Sequence, residues 1–419
     1  MTTTQPEPAV PGPALPGPRP QPLGVLPWPA GMLVLATAPA DAVAALTAGG
    51  EPDPWPDSLA YVRAALDGDA ERAASLVPGD DAVATYNRAV LVGGDAVWDG
   101  LAVGTDGELR ALVDTARFSL GLVDEPPGVA GCAGEVAAVV RSARASAALE
   151  RGDVAAAVLE LARAGQDATA GGSPLLAASL RATRADLLRE RLDDPRAAAQ
   201  EADAALRALP AGAPDELRAE LLVTRALARQ QAAGTDRGAL LAVVGDLTGA
   251  LKTYREDTHP EQFAACNQQL ALAYLVMPMS DQGDRIRLGV AVTSLRAALR
   301  VFTPQTHPAA WASTQLNLAN ALQYLPSVHQ EQNLDEAVQL YEELLQFRDP
   351  DRDPVGVARI LANQGNALGH LGALDSAQQR LERARGLFAA AGDGEGVAGV
   401  DDILASVAEA RARRDQEDG

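Results

Sequence analysis

Apolar residues recur at three- and four-residue steps along most of the chain, which is the spacing of one face of an α-helix. The clearest stripe is formed by Leu334, Ala337, Val338, Tyr341 and Leu345. Similar segments follow one another from about Pro56 onward, separated by short stretches of Gly, Pro or Asp. The pattern predicts an all-α protein made of consecutive amphipathic helices.

Three of the predicted helices start with related sequences. HPEQFAACNQQLALAY begins at His259, HPAAWASTQLNLANAL at His307 and DPVGVARILANQGNAL at Asp353, so the offsets are 307 − 259 = 48 and 353 − 307 = 46 residues. Each is followed by a second amphipathic segment, beginning at Leu288, Leu334 and Leu374. A fixed period of this kind indicates a repeat protein.

The segment NQGNALGHLGALDSAQQRLERA, residues 363–384, resembles the tetratricopeptide (TPR) family, whose helix–turn–helix unit has about 34 residues. Gly365 occupies the small position where paired helices cross, and Gly372 the turn. The segment ASAALERGDVAAAVLELARA, residues 145–164, repeats the arrangement. The longer C-terminal repeats, at 46–48 residues, are similar to those of bacterial multidomain signalling proteins. The resemblance implies a right-handed α-solenoid and is weak over residues 55–124.

Composition and repeats together predict five regions. Ten prolines fall in the first 29 residues, a density that prevents helix and sheet and predicts a disordered tail. The regions are a Pro-rich disordered tail over 1–31, an irregular, mostly helical N-terminal region over 32–131, degenerate TPR-like repeats over 132–256, extended repeats with a capping helix over 257–414, and a disordered tail over 415–419.

The formal net charge of −21 argues against nucleic acid and anionic membranes as partners, since both carry negative charge. Lys252 is the only lysine, and the arginines are scattered among acidic residues. Two widely separated cysteines, Cys132 and Cys266, suit a reducing compartment. No basic segment precedes an apolar run as in a secretory signal, so we expect a cytoplasmic protein.

No sequence motif predicts catalysis, a metal or a cofactor. The four histidines share no helical face, and HExxH, CxxC and phosphate-cradling loops are absent from the sequence. His259 and His307 precede a proline that opens a helix, and Asp353 stands at the same place in the third repeat. Interchange of His and Asp there favours a helix-start signal over a metal ligand. We therefore expect a protein that is not an enzyme.

The TPR resemblance implies that the first helices of successive repeats line a concave groove that binds peptides. Amide side chains suit such a groove because each offers a donor and an acceptor to a peptide backbone. Asn317 and Asn363 are expected to face a neighbouring helix or a turn instead. The groove candidates are Gln268, Asn320, Gln323, Tyr324, Arg359, Asn366 and His370. The acidity of the chain favours a neutral, apolar or basic partner segment.

Three functions remain open from the sequence. The first is a non-catalytic scaffold that binds a partner protein or peptide in the groove. The alternative is an accessory factor for the assembly or maturation of a bacterial enzyme complex, with the N-terminal region as its specific module. The third is a peptide-sensing regulator, and the sequence leaves homo-oligomerisation undecided.

Overall fold

A computed structural model describes residues 32–35, 38–278, 283–325 and 329–417. The predicted tail over 1–31 lies outside these residues. The chain divides into two compact units, which we call unit one (Met1–Ala232) and unit two (Ala233–Gly419). The described residues of both are all-helical, and consecutive helices pack against one another as in an α-solenoid. The all-α prediction is confirmed.

Eleven helices begin in unit one, and a short 3₁₀ turn (Asp57–Leu59) precedes the second of them. The helices are α1 (Ala40–Thr47), α2 (Ala60–Leu66), α3 (Ala70–Leu76), α4 (Ala82–Val92), α5 (Asp95–Gly104), α6 (Gly107–Ser119), α7 (Gly134–Glu150), α8 (Val154–Ala170), α9 (Pro174–Glu190), α10 (Pro195–Ala208) and α11 (Asp215–Ala233).

The described part of unit two contains eight further helices. They are α12 (Arg237–Ala250), α13 (Pro260–Val276), α14 (Gly283–Leu299), α15 (Pro308–Tyr324), α16 (Gln330–Phe347), α17 (Pro354–His370), α18 (Leu374–Ala390) and α19 (Gly394–Glu417). The helix α19 reaches Glu417, so it extends into the range 415–419 that the sequence predicted as a disordered tail.

An extended segment at the start of unit one is built into the core. Leu33, Val34 and Leu35 are each at most 1 % exposed. The side chain of Asn87 in α4 pairs with Val34 as a neighbouring strand would: the Val34 amide donates to Asn87 Oδ1 at 2.8 Å, and Asn87 Nδ2 donates to the Val34 carbonyl at 2.9 Å. The side-chain amide thereby satisfies buried backbone groups that have no helix or sheet to pair with.

The pairs α7/α8 and α9/α10 of unit one are helix–turn–helix units. Both turns place a residue with positive φ before an aspartate that caps the second helix: Gly152 at 78° before Asp153, and Asp193 at 51° before Asp194. The first turn has the glycine that this backbone favours, whereas the second has an aspartate, which tolerates it. Because Asp193 replaces the glycine, the second unit resembles the TPR motif less closely than the first does.

The first helices of unit two start from one backbone geometry. The residue before each helix has nearly the same dihedral angles: φ −137° and ψ 64° at His259, φ −138° and ψ 61° at His307, φ −137° and ψ 63° at Asp353. Each is followed by a proline at the first helical position. The 48- and 46-residue offsets therefore superimpose structurally equivalent turns.

The helices of the last pair, α17 and α18, approach closely at Gly365. A Cβ on this glycine would lie 2.7 Å from Leu381 Cγ, closer than carbon atoms can pack. Ala377 and Ala384 on the facing helix are fully buried. Small residues at these places are what close helix crossing requires.

The capping helix α19 covers the last pair. Its buried residues Val400 and Val407 join the cluster that contains Leu381 and Phe388. The residues that α19 exposes are small or charged, such as Ala398, Asp401 and Glu409. A repeat array needs a terminal helix with a polar outer face, and α19 has one.

The boundary between the units differs from the one expected. The sequence divided degenerate from extended repeats at residues 256/257, whereas the contacts divide the chain at 232/233. The reason is α12, which packs against α13 of unit two. The composition of α12, rich in Gly and Ala, did not reveal this association.

Candidate functional site

The first helices of the unit-two pairs lie side by side, with α13 contacting α15 and α15 contacting α17. Four positions of each helix, spaced by three, four and four residues, lie on one side of it. We call these twelve positions the first-helix face. They are Ala265, Gln268, Leu272 and Val276 in α13, Ser313, Leu316, Asn320 and Tyr324 in α15, and Arg359, Ala362, Asn366 and His370 in α17.

Most of the first-helix face is accessible to solvent. Tyr324 is 64 % exposed and Val276, its equivalent in α13, is 47 % exposed. Arg359 and His370 are also exposed, and Ala362 is the one buried member of the twelve. The face thus combines apolar side chains with amides.

Charge is strongly segregated between helices. Among Asp, Glu, Lys and Arg, α13 carries only Glu261, α17 carries only Arg359, and α15 carries none. Their partners α14, α16 and α18 carry four, five and five. The corresponding first helices of unit one, α7, α9 and α11, carry four, five and six. Only unit two therefore has first helices that are nearly free of charge.

A hydrogen-bond network underlies the middle of the first-helix face. The Tyr341 hydroxyl on α16 donates to Asn320 Oδ1 at 2.7 Å, and Asn363 Nδ2 on α17 donates to the same oxygen at 2.9 Å. Tyr341 is fully buried, and burial raises the pKa of its hydroxyl, which stays protonated and able to donate at neutral pH. The network ties α15 to both α16 and α17.

Gln323 adjoins this network and keeps one unsatisfied group. Its Oε1 lies 3.2 Å from the Tyr341 hydroxyl, and its Nε2 has no partner among the described residues. A hydroxyl has one hydrogen, which Tyr341 already donates to Asn320. Turning the amide over would let Nε2 donate to Tyr341 but would leave Oε1 alone. The turned orientation leaves one polar atom of this 5 % exposed residue unpaired, and the other orientation leaves two.

Two buried glutamines hold α16 between its neighbours. Gln315 on α15 donates to the Leu340 carbonyl at 3.2 Å and to Glu343 at 2.8 Å. Gln364 on α17 donates to the Val338 carbonyl at 3.2 Å and to Glu342 at 3.1 Å. These amides fix the spacing of the helices that present the face.

The structure sorts the seven groove candidates into three groups. Tyr324, Arg359 and His370 are exposed, whereas Gln268 and Asn366 are half-buried. Asn320 and Gln323 are brought together by Tyr341, and Gln323 is withdrawn beneath the surface. Asn363 contacts Asn320 of the neighbouring helix, which confirms the orientation expected for Asn363.

The histidines that begin helices pack on aromatic rings. His259 lies 5.4 Å from the ring of Tyr254 and His307 lies 5.2 Å from that of Phe302, with the same interplanar angle of 53°. At the equivalent place in the third repeat, Arg348 forms an ion pair with Asp353, which caps α17 through the Gly356 amide.

One structural place therefore takes either an aromatic–histidine contact or an arginine–aspartate pair, as expected of helix-start signals. Among the described residues, no group of three or more His, Cys, Asp or Glu side chains is arranged to hold a metal ion.

Sequence reasoning missed Tyr341 and Val276. Tyr341 was assigned only to the buried stripe of α16, and periodicity does not show that its hydroxyl reaches Asn320. Val276 could have been found, because 324 − 276 = 48 places it at the position of Tyr324 one repeat earlier. The predicted groove residues all have a polar group, which the aliphatic Val276 lacks.

Outside the face, two carboxyl groups of unit one have raised pKa values. Burial raises the pKa of Asp186 on α9, although the Arg189 charge and a hydrogen bond from Thr224 oppose the shift. Burial and the negative charge of Asp186 raise the pKa of Glu220 on α11. Burial also raises the pKa of the Cys266 thiol to about 12, which makes this cysteine a poor nucleophile.

No family model matches the chain, and a search of curated proteins finds no significant match. The resemblance to TPR proteins therefore rests on the sequence motifs alone. None of the helices in the described ranges is both long and apolar enough to cross a membrane.

Proposed function

We propose that this chain is a non-enzymatic, TPR-like scaffold whose first-helix face binds a segment of another protein. The observation that carries the proposal is the charge segregation: α15 has no charged residue, while the chain as a whole has 22 %. Charged residues are usually the default on a solvated helix surface, and their depletion is typical of the centre of an interface. The buried Cys266 thiol is in keeping with a cytoplasmic location.

The arrangement of the helices supports the same proposal. Stacked helix pairs leave one continuous surface formed by their first helices, which suits binding of an extended or helical segment. Tyr324 and Val276 offer apolar contact area at equivalent positions. Gln268 on α13 and Asn366 on α17 each offer an amide that can bond to a peptide backbone.

Affinity capture from the native cell tests the proposal. The binding variant combines Tyr324→Ala, Arg359→Ala and His370→Ala, all at exposed positions. Asn320 is left intact because its loss would disturb the bonds to Tyr341 and Asn363. The matched control combines Gln332→Ala, Gln339→Ala and Gln379→Ala, which are exposed on the second helices.

We expect partners that bind the wild type and the control to be lost from the binding variant. If the binding variant keeps every partner, the first-helix face is not the binding surface.

The alternative, an accessory factor that binds through its N-terminal region, is supported by α5. Val97 and Val103 on this helix are 40 % and 80 % exposed, and Val92 at the end of α4 is 52 % exposed. Deletion of residues 1–131 is a poor test, because Trp98 and Leu109 share a core cluster with Leu161 and Leu176. Val97→Gln with Val103→Gln tests it without removing that core: loss of partners from this variant alone would favour the alternative.

A further inference from the structure

The chemistry of the partner follows from where unit two places its charges. The net charge of the chain, −21, would by itself suit a basic partner. Among the first helices, the one acidic residue is Glu261, which lies one helical turn before Ala265 at the start of α13 and 3.3 Å from His307 Nε2. The other acidic side chains of these helix pairs lie on the second helices or in the turns. The helix α16 carries five of them, Glu331, Asp335, Glu336, Glu342 and Glu343, and no basic residue.

Three of these carboxylates already bind side chains of neighbouring helices. Glu336 is paired with Arg296 at 2.7 Å, and Glu342 with Arg380 at 3.0 Å. Glu343 accepts a hydrogen bond from Gln315 at 2.8 Å. The acidic helix is thus partly neutralised by its own neighbours.

The first-helix face itself has no carboxylate among its twelve positions, and Arg359 is its one permanently charged residue. A lysine or arginine of a partner would lose hydration on this face and find no anion to compensate, which is costly. An aspartate or glutamate could reach only Arg359, at one edge. Apolar side chains could contact Val276, Leu316 and Tyr324, and a peptide backbone could pair with the amides.

Resting on the function proposed above, we propose that the first-helix face selects an uncharged peptide segment, rich in aliphatic or aromatic residues, by apolar contact and backbone hydrogen bonds. The composition alone favoured a neutral, apolar or basic partner segment, and the charge distribution of unit two leaves the neutral and apolar ones. A basic segment is disfavoured, because none of the twelve positions carries a carboxylate and Glu261, one turn before Ala265, is at the end of the face.

The inference can be tested by selecting binders from a displayed library of random peptides. Peptides of about 12 residues are long enough to lie along such a groove. The bait is the full-length chain, and peptides that also bind the Tyr324→Ala variant are discarded. We expect the enriched peptides to be depleted in Asp, Glu, Lys and Arg relative to the unselected library. Binding of the best peptide should change less than about twofold between about 0.05 and 0.5 M NaCl, because no ion pair is formed.

A charge-placement experiment gives the second measurement. Gln268→Glu with Asn366→Asp puts two carboxylates on the face with almost no change of shape. Gln339→Glu with Gln379→Glu adds the same charge at exposed positions of α16 and α18. By fluorescence anisotropy, the first variant should bind the uncharged peptide about tenfold or more weakly, because buried carboxylates would lack partners. The second should bind within about twofold of wild type, since its charges stay in water.

The outcomes are distinguishable. Enriched peptides rich in lysine, arginine or acidic residues, whose binding still depends on Tyr324, would overturn the inference and leave the binding function standing. If no enriched peptide depends on Tyr324, both the inference and the proposed function are wrong.

Discussion

At the scale of single residues, the hydroxyl of Tyr341 joins α16 to two side chains of α15, one of which, Asn320, also bonds to Asn363 on α17. It is buried with Asn320 and Gln323 around it, and its pKa is raised by burial. Removing only the hydroxyl takes away the donor to Asn320 and, when Nε2 of Gln323 is turned toward Tyr341, the acceptor of that amide as well. Buried polar groups that lose their hydrogen bonds typically cost about 1–3 kcal/mol each.

We therefore expect Tyr341→Phe to lower the free energy of unfolding by about 1–3 kcal/mol, measured by urea denaturation followed by circular dichroism. Tyr324→Phe removes the same hydroxyl from a 64 % exposed side chain and serves as the matched control. It should change stability by less than about 0.5 kcal/mol. Equal effects of the two substitutions would show that the buried network does not stabilise the fold.

Asp186 gives a pH-dependent prediction. Because burial raises its pKa above the ordinary 3.8, the folded state binds the proton more tightly than the unfolded state. Its ionisation therefore costs stability, which is lost as the pH rises from 3.8 through the raised pKa. Asn in its place avoids the charge and can still accept the Thr224 hydrogen bond.

Asp186→Asn should be more stable than wild type at pH 7, by less than about 1 kcal/mol, and the difference should shrink as the pH falls toward 3.8 and disappear below it. Urea midpoints measured across this pH range test it. Asp67→Asn replaces an exposed carboxylate of the same unit and should show a smaller difference. A difference for Asp186→Asn that grows toward low pH would contradict the assignment.

Residue roles were only partly predictable from sequence. The helix-start role of His307 and Asp353 followed from their interchange before a proline, because that signal is local. The bonds among Asn320, Tyr341 and Asn363 join residues up to 43 positions apart, and no local pattern reports them. The TPR resemblance placed both Gln323 and Tyr324 in the groove, yet neighbouring positions on a helix face different directions, and only Tyr324 is exposed.

At the scale of elements, helix crossings are controlled by small residues, as Gly365 shows. A methyl group there would meet Leu381 at 2.7 Å, so α17 and α18 would have to separate. Gly386 on α18 is also inside a helix, but a Cβ there would meet no atom within 4 Å. The two glycines therefore differ only in whether a partner helix lies against them.

Gly365→Ala should destabilise the protein by about 1–3 kcal/mol through overpacking. Gly386→Ala should stabilise it by up to about 1 kcal/mol, because alanine is the better helix former. Thermal and urea unfolding of the two variants measure the contrast. Stabilisation by both substitutions would mean that the pair can relax at the crossing and that glycine is not required there.

Helix pairing within a repeat was the most predictable feature of the fold, but not every association between helices could be predicted. The unit 145–164 matches the family because Gly152 and Ala157 keep its spacing, whereas the unit 180–210 is predicted only as a less regular one, since Asp193 stands in place of the turn glycine. The association of α12 with α13 was missed because helix periodicity identifies a buried face but not the helix that covers it.

At the scale of the whole molecule, each unit has its own hydrophobic clusters. In unit two, one cluster joins helices α13 to α17 and another joins α17 to α19. Charge is distributed differently in the two units, since the first helices of unit one are rich in ion pairs such as Arg141–Asp167 at 2.7 Å. We infer that the two units serve different roles, with the uncharged surface confined to unit two.

The position of the boundary can be tested by expressing unit two alone. A fragment of residues 234–419 keeps α12, whose Leu240, Val243 and Leu247 are fully buried. A fragment of residues 257–419, cut where the sequence placed the boundary, lacks α12 and uncovers the side of α13 against which it packs. Each of the three missing side chains contributes about 1.5–3 kcal/mol when buried.

We expect residues 234–419 to unfold cooperatively and residues 257–419 to be several kcal/mol less stable or to aggregate, as measured by circular dichroism and size-exclusion chromatography. A third fragment, residues 234–393, removes α19 instead and should also lose stability, because Val400 and Val407 would no longer cover Leu381 and Phe388. If the fragments starting at 234 and 257 are equally stable, α12 is not part of the folded unit. The boundary then lies at 256/257, as the repeat pattern indicated, and α12 is a linker helix.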